Sequence, residues 1–189
     1  MYIFAGTYRK KPIETPKGSI TRPTTGQVRE AVFNICQNDI SEARFLDLFA
    51  GSGAMGLEAL SRGASRATFV ENDRNAIQCI QNNIRNFSVE TKTRLFPNDV
   101  FLVLQRLEKQ KETFDVIYAD PPFTKDENGT LTQKLIQAIE KGDFLTEMGR
   151  FFIESSQKEA PQPSLFFLKD TRRYGCVFLH QYIRRESNG

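Results

Sequence analysis

A chain of 189 residues has the length of one domain with a substantial core. Its 26 Lys+Arg against 23 Asp+Glu leave a net charge of only +3, too little for bulk charge to argue for nucleic acid. The three cysteines, Cys36, Cys79 and Cys176, are far apart in apolar surroundings, and no apolar run nears the ~20 residues of a membrane span, so a disulfide framework, a CxxC metal site and a membrane protein are set aside in favour of a reduced cytoplasmic protein without signal peptide or metal.

Tyr2, Ile3, Phe4 and Tyr8 alternate loosely, and a second extended piece runs from Lys11 to Thr15, which predicts a small β-hairpin. Arg9, Lys10, Lys11, Lys17, Arg22 and Arg29 are opposed only by Glu14; such a local basic excess suits a phosphate-contacting face, with a solvated surface as the alternative. Residues 1–24 therefore read as a basic extension and 25–189 as the main domain. Thr24-x-x-Gln27 has capping-box form, and Val28, Val32, Ile35 and Cys36 keep helical spacing, which predicts a helix over about 25–37 with Gly26 tolerated in its first turn.

From Phe45 onward strands and helices alternate. Phe45 to Ala50 is an apolar run without helical period; it enters Gly51-Ser-Gly-Ala-Met-Gly56 and then a helix ending near Gly63. Arg66 to Glu71 is a strand ending in an acid, followed by a helix capped by Asp73 with Ile77, Ile80, Ile84 and Phe87 inward. Thr91 to Phe96 is the third strand, and Asn98-Asp99 leads a helix carrying Val100, Val103, Leu104 and Leu107. Phe114 to Ala119 is the fourth strand and ends at Asp120-Pro-Pro-Phe123; a polar loop, Thr124 to Gly129, leads to a helix over 130–141. Arg150 to Glu154 is the fifth strand. Two last strands, Ser164 to Leu168 and Cys176 to Ile183, are joined by the basic connection Asp170 to Gly175, and the lone His180 reads as a strand residue. Repeated βα units predict a doubly wound α/β fold, mostly parallel with an antiparallel C-terminal strand, whose ligands lie at the carboxyl ends of the strands.

Four features fall at those ends: the glycine turn, Glu71, Asn98-Asp99 and Asp120 to Phe123. Gly51, Gly53 and Gly56 suit a tight turn, close ligand approach and close helix packing, but the G-x-G-x-x-G pattern fits a dinucleotide or a methyl donor equally. Glu71 stands 20 residues beyond Gly51, where an acid can accept bonds from ribose hydroxyls. Asp47, inside an apolar strand, needs a partner: a cationic cofactor, a water bound to one, or backbone amides of the turn. Asp99 suits an adenine amine or a helix N-cap. Asp120-Pro-Pro-Phe123 discriminates best. An exocyclic base nitrogen is a poor nucleophile; the Asp120 carboxylate and the Pro121 carbonyl would orient its lone pair and stabilise the developing charge, Pro121 and Pro122 would fix the backbone, and Phe123 would stack on an extruded base.

The combination resembles the class I S-adenosylmethionine-dependent methyltransferases, and more narrowly the bacterial 16S ribosomal RNA guanine-N2 methyltransferases. The resemblance runs through Ile3-x-Ala-Gly-x-Tyr8, Thr15-Pro-Lys-Gly18, Thr21-Arg-Pro-Thr-Thr25, Val28 to Asn34, Leu46 to Gly53, Gly56 to Gly63, Asp120-Pro-Pro-Phe123 and Tyr174-Gly175. It implies a Rossmann-like methyltransferase domain, a monomeric cytoplasmic enzyme, S-adenosyl-L-methionine as cofactor, and 16S rRNA or the small ribosomal subunit as partner. It places Asp47, Phe49, Gly51, Ser52, Gly53, Glu71, Asn72 and Asp99 on the cofactor, Arg22, Thr24 and Thr25 near cofactor and substrate, and Asp120, Pro121, Pro122 and Phe123 at the target guanine. The basic extension would hold RNA. Gly26 departs from the acid that often follows Arg-Pro-Thr-Thr. Competing expectations are an adenine-N6 DNA methyltransferase, a dehydrogenase and a non-catalytic RNA-binding protein.

Overall fold

The alternation of apolar runs and helical segments produces one seven-stranded sheet in a computed structural model, which describes residues 1–16, 23–122 and 129–185, and their side chains apart from 23–25. The elements are α1 (Pro23–Ile35), β1 (Arg44–Leu48), α2 (Ala54–Ser61), β2 (Arg66–Glu71), α3 (Arg74–Phe87), β3 (Thr93–Pro97), α4 (Val100–Lys109), β4 (Phe114–Ala119), α5 (Thr130–Lys141), β5 (Leu145–Ser155), β6 (Phe166–Tyr174) and β7 (Val177–Arg184). The strand order is β3-β2-β1-β4-β5-β7-β6, parallel from β3 to β5 and antiparallel at β5–β7 and β7–β6.

Both faces of the central strands are covered, which is why β1 and β4 read as unbroken apolar runs. On one face Phe45, Phe69, Val116 and Phe152 pack with Val28, Val32, Leu57 and Ile80 from α1, α2 and α3. On the other, Leu46, Leu48, Ile117 and Ile153 pack with Leu104, Leu107, Leu135 and Ile139 from α4 and α5. Full burial of each such side chain contributes about 1.5–3 kcal/mol before the entropy of ordering is subtracted. The chain moves outward from β1 to β3 and then returns to place β4 on the other flank of β1. The carboxyl ends of β1 and β4 therefore form the topological switch point, where α/β sheets bind ligands.

Several expectations need adjusting. The N-terminal hairpin is reduced to a hairpin-shaped loop: Ile3 N–H donates to Lys11 O and Ile13 N–H to Met1 O, but the ladder is a single bridge between Tyr2 and Pro12. The reason is competition. The amides of Phe4 and Ala5 go to the Glu58 carboxylate, and those of Thr7 and Tyr8 to Ser61, all on α2. Gly6, at φ +82, lies so close that a Cβ would meet the Ser61 carbonyl oxygen at 1.7 Å. Ile3 and Ile13 are buried in the core shared with α1 to α3.

Helix α1 begins at Pro23 and ends at Ile35, where a helix over 25–37 was expected, and β3 starts at Thr93 after a 3-10 turn over Glu90–Lys92. Strand β5 is longer than the Arg150–Glu154 core because a bulge separates the Phe114–Leu145 pair from the Val116–Arg150 pair, so the apolar signal is interrupted. The basic connection Asp170 to Gly175 is mostly strand: β6 is an edge strand, free to carry Arg172 and Arg173 toward solvent. Among the described residues no helix is long and apolar enough to cross a membrane.

Candidate active site

The turn after β1 is built from left-handed backbone. Phe49, Gly51 and Gly53 have φ of 61°, 56° and 77°, and Phe49 is the strained member, since a bulky side chain rarely adopts this region. A Cβ at Gly51 would meet nothing within 4 Å, whereas at Gly56 it would meet the Phe69 ring at 2.3 Å. Gly51 thus leaves open space at the turn, and Gly56 lets α2 pack onto β2. Ala50 N–H donates to Val70 O (3.0 Å), which ties the turn to the end of β2.

Glu71 faces this turn. Its Oε2 accepts from Gly51 N–H (2.8 Å), and its Oε1 accepts from the amides of Asn72 (2.8 Å) and Asp73 (2.9 Å). A carboxylate has about four acceptor positions, so one remains for a ligand hydroxyl. Asp47 is 1 % exposed and accepts from Gly56 N–H at 3.1 Å. Burial pushes its pKa well up; the Gly56 amide works against this, and the charges of Glu71 and Asp120 add to it. Among the described residues neither Asp47 nor Glu71 has an ion pair with a cationic side chain. Nor does any group of His, Cys, Asp and Glu among them have the arrangement to hold a metal ion.

Asp99 caps α4, its Oδ1 accepting from Phe101 N–H (2.9 Å), while Asn98 Oδ1 accepts from Asp99 N–H. Asp120 leaves β4 beside β1, its N–H reaching Leu48 O at 3.4 Å; it is half-buried, with Pro121 buried and Pro122 exposed behind it. The sheet therefore gathers Asp47, Phe49, Gly51, Ser52, Gly53, Glu71, Asn72 and Asp120 on adjacent strand ends. Phe123, Lys17, Arg22 and the side chains of Thr24 and Thr25 lie outside what is described; because α1 already begins at Pro23, Thr24 stands inside the helix and is not the N-cap of the expected Thr24–Gln27 capping box.

The basic residues divide. Arg9 and Lys10 are exposed beside a cavity of about 420 Å³ that Tyr2, Ile3 and Phe4 complete. The Lys11 ammonium lies 4.8 Å from the centroid of the Phe87 ring. Arg29, expected among the RNA-contacting residues, is 1 % exposed and cannot meet a phosphate in this fold. It donates to Tyr2 O (2.7 Å), stacks over Phe4 (4.1 Å) and lies 3.9 Å from Glu58. Its spacing of about one helical turn from Val32 and Phe33 puts it on the inward face, which the charge count concealed.

Other contributors have no motif. Asn83, fully buried on α3, accepts from Glu14 N–H and donates to both Glu14 O and Ser52 O (2.9 Å), joining the N-terminal segment to the glycine turn. Asn83 sits beside Ile80 and Ile84 on the apolar face of its helix, and a lone amide there was the one available sign. On β4, Tyr118 sits beside Asp47 in register and donates its hydroxyl to the buried Glu154 carboxylate on β5. Burial and the Glu154 charge push the Tyr118 pKa well up, so the phenol remains protonated.

The family model described as conserved hypothetical protein 95 matches residues 1–183. Ribosomal RNA small subunit methyltransferase D of Escherichia coli is 33% identical over 189 residues, covering 99% of this chain and 91% of that protein. Its namesake in Haemophilus influenzae is 29% identical over 182 residues, 95% and 92% of the two chains. Among solved structures, "Putative methyltransferase yhhF from Escherichia coli" superposes with a TM-score of 0.85 at 32% identity over 99% of both chains. A hypothetical protein of Thermus thermophilus gives a TM-score of 0.78 at 27% identity, over 98% of this chain and 99% of the other. With a match along nearly its whole length, the chain belongs to the conserved hypothetical protein 95 family and is a homologue of small-subunit ribosomal RNA methyltransferase D.

Proposed function

We propose that the chain is an S-adenosyl-L-methionine-dependent methyltransferase that modifies the exocyclic N2 of one guanine in 16S rRNA of the small ribosomal subunit. One observation carries the reading: at the switch point, two buried carboxylates that have no cationic side-chain partner among the described residues flank an open glycine turn, and Asp120-Pro121-Pro122 leaves the adjacent strand beside them. The homology to proteins named for small-subunit rRNA methylation supports the substrate class.

The residues present suit the cofactor. Asp47, buried with a single amide bond among the described residues, lies where a cation would relieve the cost of its charge, and Glu71 keeps one acceptor position for a ribose hydroxyl. Gly51 to Gly53 give the methionine end close approach, with Phe49, Ser52 and Asn72 around it, and Asp99 stands at the adenine end. When bound, S-adenosylmethionine supplies an electrophilic methyl group. Asp120 and the Pro121 carbonyl accept the two N2 hydrogens of the guanine, turn its lone pair toward that methyl and stabilise the positive charge as it develops. Asp120 is then placed to take the proton that the methylated amine releases. Phe123 stacks on the base, Arg22, Thr24 and Thr25 border cofactor and substrate, and residues 1–24 hold RNA with Arg9, Lys10, Lys11 and Lys17. Arg29 is left out of that set because it is buried.

The test is transfer of labelled methyl from S-adenosylmethionine to small subunits from cells lacking the modification, followed by nucleoside digestion. N2-methylguanosine is expected, and it should vanish in Asp120→Ala. Label found only on adenine of DNA would replace this reading with that of a DNA methyltransferase; binding of NAD in place of S-adenosylhomocysteine would overturn it.

A further inference from the structure

The carboxyl edge of the sheet continues past β5 into the β6–β7 hairpin. Ala119, Ile153, His180 and Thr171 form one row across β4, β5, β7 and β6. With strands ~4.8 Å apart, Thr171 stands about 14 Å from β4. Two rows farther toward the carboxyl edge stand Ser155, Phe178 and Arg173. Thr171, Arg173 and Phe178, together with Lys158 from the segment after β5, line a cavity of about 490 Å³. It therefore opens on the same edge as Asp120.

The walls of this cleft are fixed from beneath. His180 is fully buried, with Nε2 3.1 Å from Gln157 O and Nδ1 3.0 Å from Thr171 Oγ1. Since a carbonyl only accepts, Nε2 carries the hydrogen, and Nδ1 accepts from the threonine hydroxyl. Burial lowers the His180 pKa and favours this neutral form. One imidazole thus staples the segment bearing Lys158 to strand β6. Gln157 also lies near the start of α5: a Cβ built at Gly129 would stand 3.6 Å from its Cγ.

Its cations are held but uncommitted. Arg173 Nε–H donates to Gly175 O (2.8 Å), and its guanidinium lies 5.8 Å from the centroid of the Phe178 ring. Its two terminal nitrogens make no hydrogen bond to any described residue. Lys158 is exposed and has no ion pair among the described residues. Of the nearby acids, Asp170 is engaged by Arg172 at 2.7 Å, and Glu159 is exposed beside Lys158. An oriented guanidinium and a free ammonium on one cleft are a recognition pattern for phosphate oxygens.

We propose that the Lys158–Arg173 cleft binds the phosphate backbone of the RNA substrate a few nucleotides from the methylated base, forming a second RNA contact beside the N-terminal one. This rests on the rRNA methyltransferase reading. The cleft holds the strand in register so that the base entering at Asp120 is selected by its distance from a gripped phosphate.

The double variant Lys158→Glu/Arg173→Glu tests it against the wild type and against Lys92→Glu, which reverses an exposed charge at the amino edge beyond β3. The probes are small subunits lacking the modification, protein-free 16S rRNA, and S-adenosylhomocysteine. For the double variant, KM for the RNA probe should rise at least tenfold, with kcat and S-adenosylhomocysteine affinity unchanged. The slope of log affinity against log salt should shrink by about 1.4, as for two lost contacts to a single strand. Lys92→Glu should leave all of these as they are. Unaltered RNA affinity and salt slope in the double variant, with the wild type methylating normally, would overturn the cleft assignment and leave the function standing. A wild type that binds RNA through the cleft but transfers no methyl would keep the assignment and overturn the function. An acidic protein competing at the cleft while RNA does not would replace RNA as its occupant.

Discussion

The two edges of the sheet use the same residue types in opposite ways. At the amino edge, acids are matched with arginines: Arg44 with Asp115 at 3.7 Å, Arg184 with Asp143 at 2.6 Å, and Arg150 with Asp39 at 2.7 Å. At the carboxyl edge, Glu71 and Asp47 are held by backbone amides alone among the described residues. Amide donors fix a carboxylate without neutralising it, and that keeps negative potential at the edge for a cationic ligand. Backbone conformation does not separate the edges: Phe49, Gly51 and Gly53 are left-handed at the carboxyl edge, and Glu42, Lys111 and Asp143 are left-handed in the turns before β1, β4 and β5.

Substitutions at the two edges should therefore differ by orders of magnitude. The largest effect is expected from Asp120→Ala, which removes the acceptor proposed for the guanine amine: kcat should fall by about 10²–10³-fold, while S-adenosylhomocysteine titrates as in the wild type. Next comes Glu71→Gln. It turns an amide NH₂ toward the Gly51, Asn72 or Asp73 N–H donors and should weaken S-adenosylhomocysteine by about tenfold or more in calorimetry, since a hydrogen bond to a charged group contributes roughly 1.5–3 kcal/mol. Unchanged affinity would place the ribose elsewhere.

Asp47→Asn should act through pH. Burial raises the folded-state pKa of Asp47 well above its ordinary 3.8, so the folded protein holds this proton more tightly than the unfolded chain. The resulting stability is fully present below the ordinary value and is lost as pH rises through the folded-state value. Thermal melts of the ligand-free protein should show Asp47→Asn gaining on the wild type as pH rises across that window, while its S-adenosylhomocysteine affinity falls. Parallel melting curves for the two proteins would contradict this. The smallest effect belongs to the amino edge: Arg44→Ala breaks a pair whose side chains are 47% and 36% exposed, so stability should change by no more than about 0.5 kcal/mol and activity not at all. A large loss there would erase the contrast between the edges.

Local chemistry made much of the molecule legible from its residues. Periodicity located the alternating strands and helices, and the apolar runs of β1 and β4 marked the buried centre. Asp73 and Asp99 cap α3 and α4 as their positions before helical runs suggest, because capping depends only on neighbouring amides. The spacing of Gly51, Gly53, Gly56 and Glu71 was readable because turn and acid lie within one βαβ unit.

What remained hidden depends on partners distant in the chain. Arg29 counted as a basic surface residue until Glu58, Tyr2 and Phe4 closed around it. The N-terminal hairpin lost its ladder because Glu58 and Ser61 offer its amides better partners 53 or 54 residues away. Asn83 links Glu14 to Ser52, and His180 links Gln157 to Thr171; neither pairing has a sequence signature. The sequence by itself determined the elements, the glycine turn and the kinds of groups at the strand ends, since backbone propensity and spacing act over a few residues. Only the tertiary structure decided which charges are neutralised and which stay open to a ligand, because that depends on which strands become neighbours.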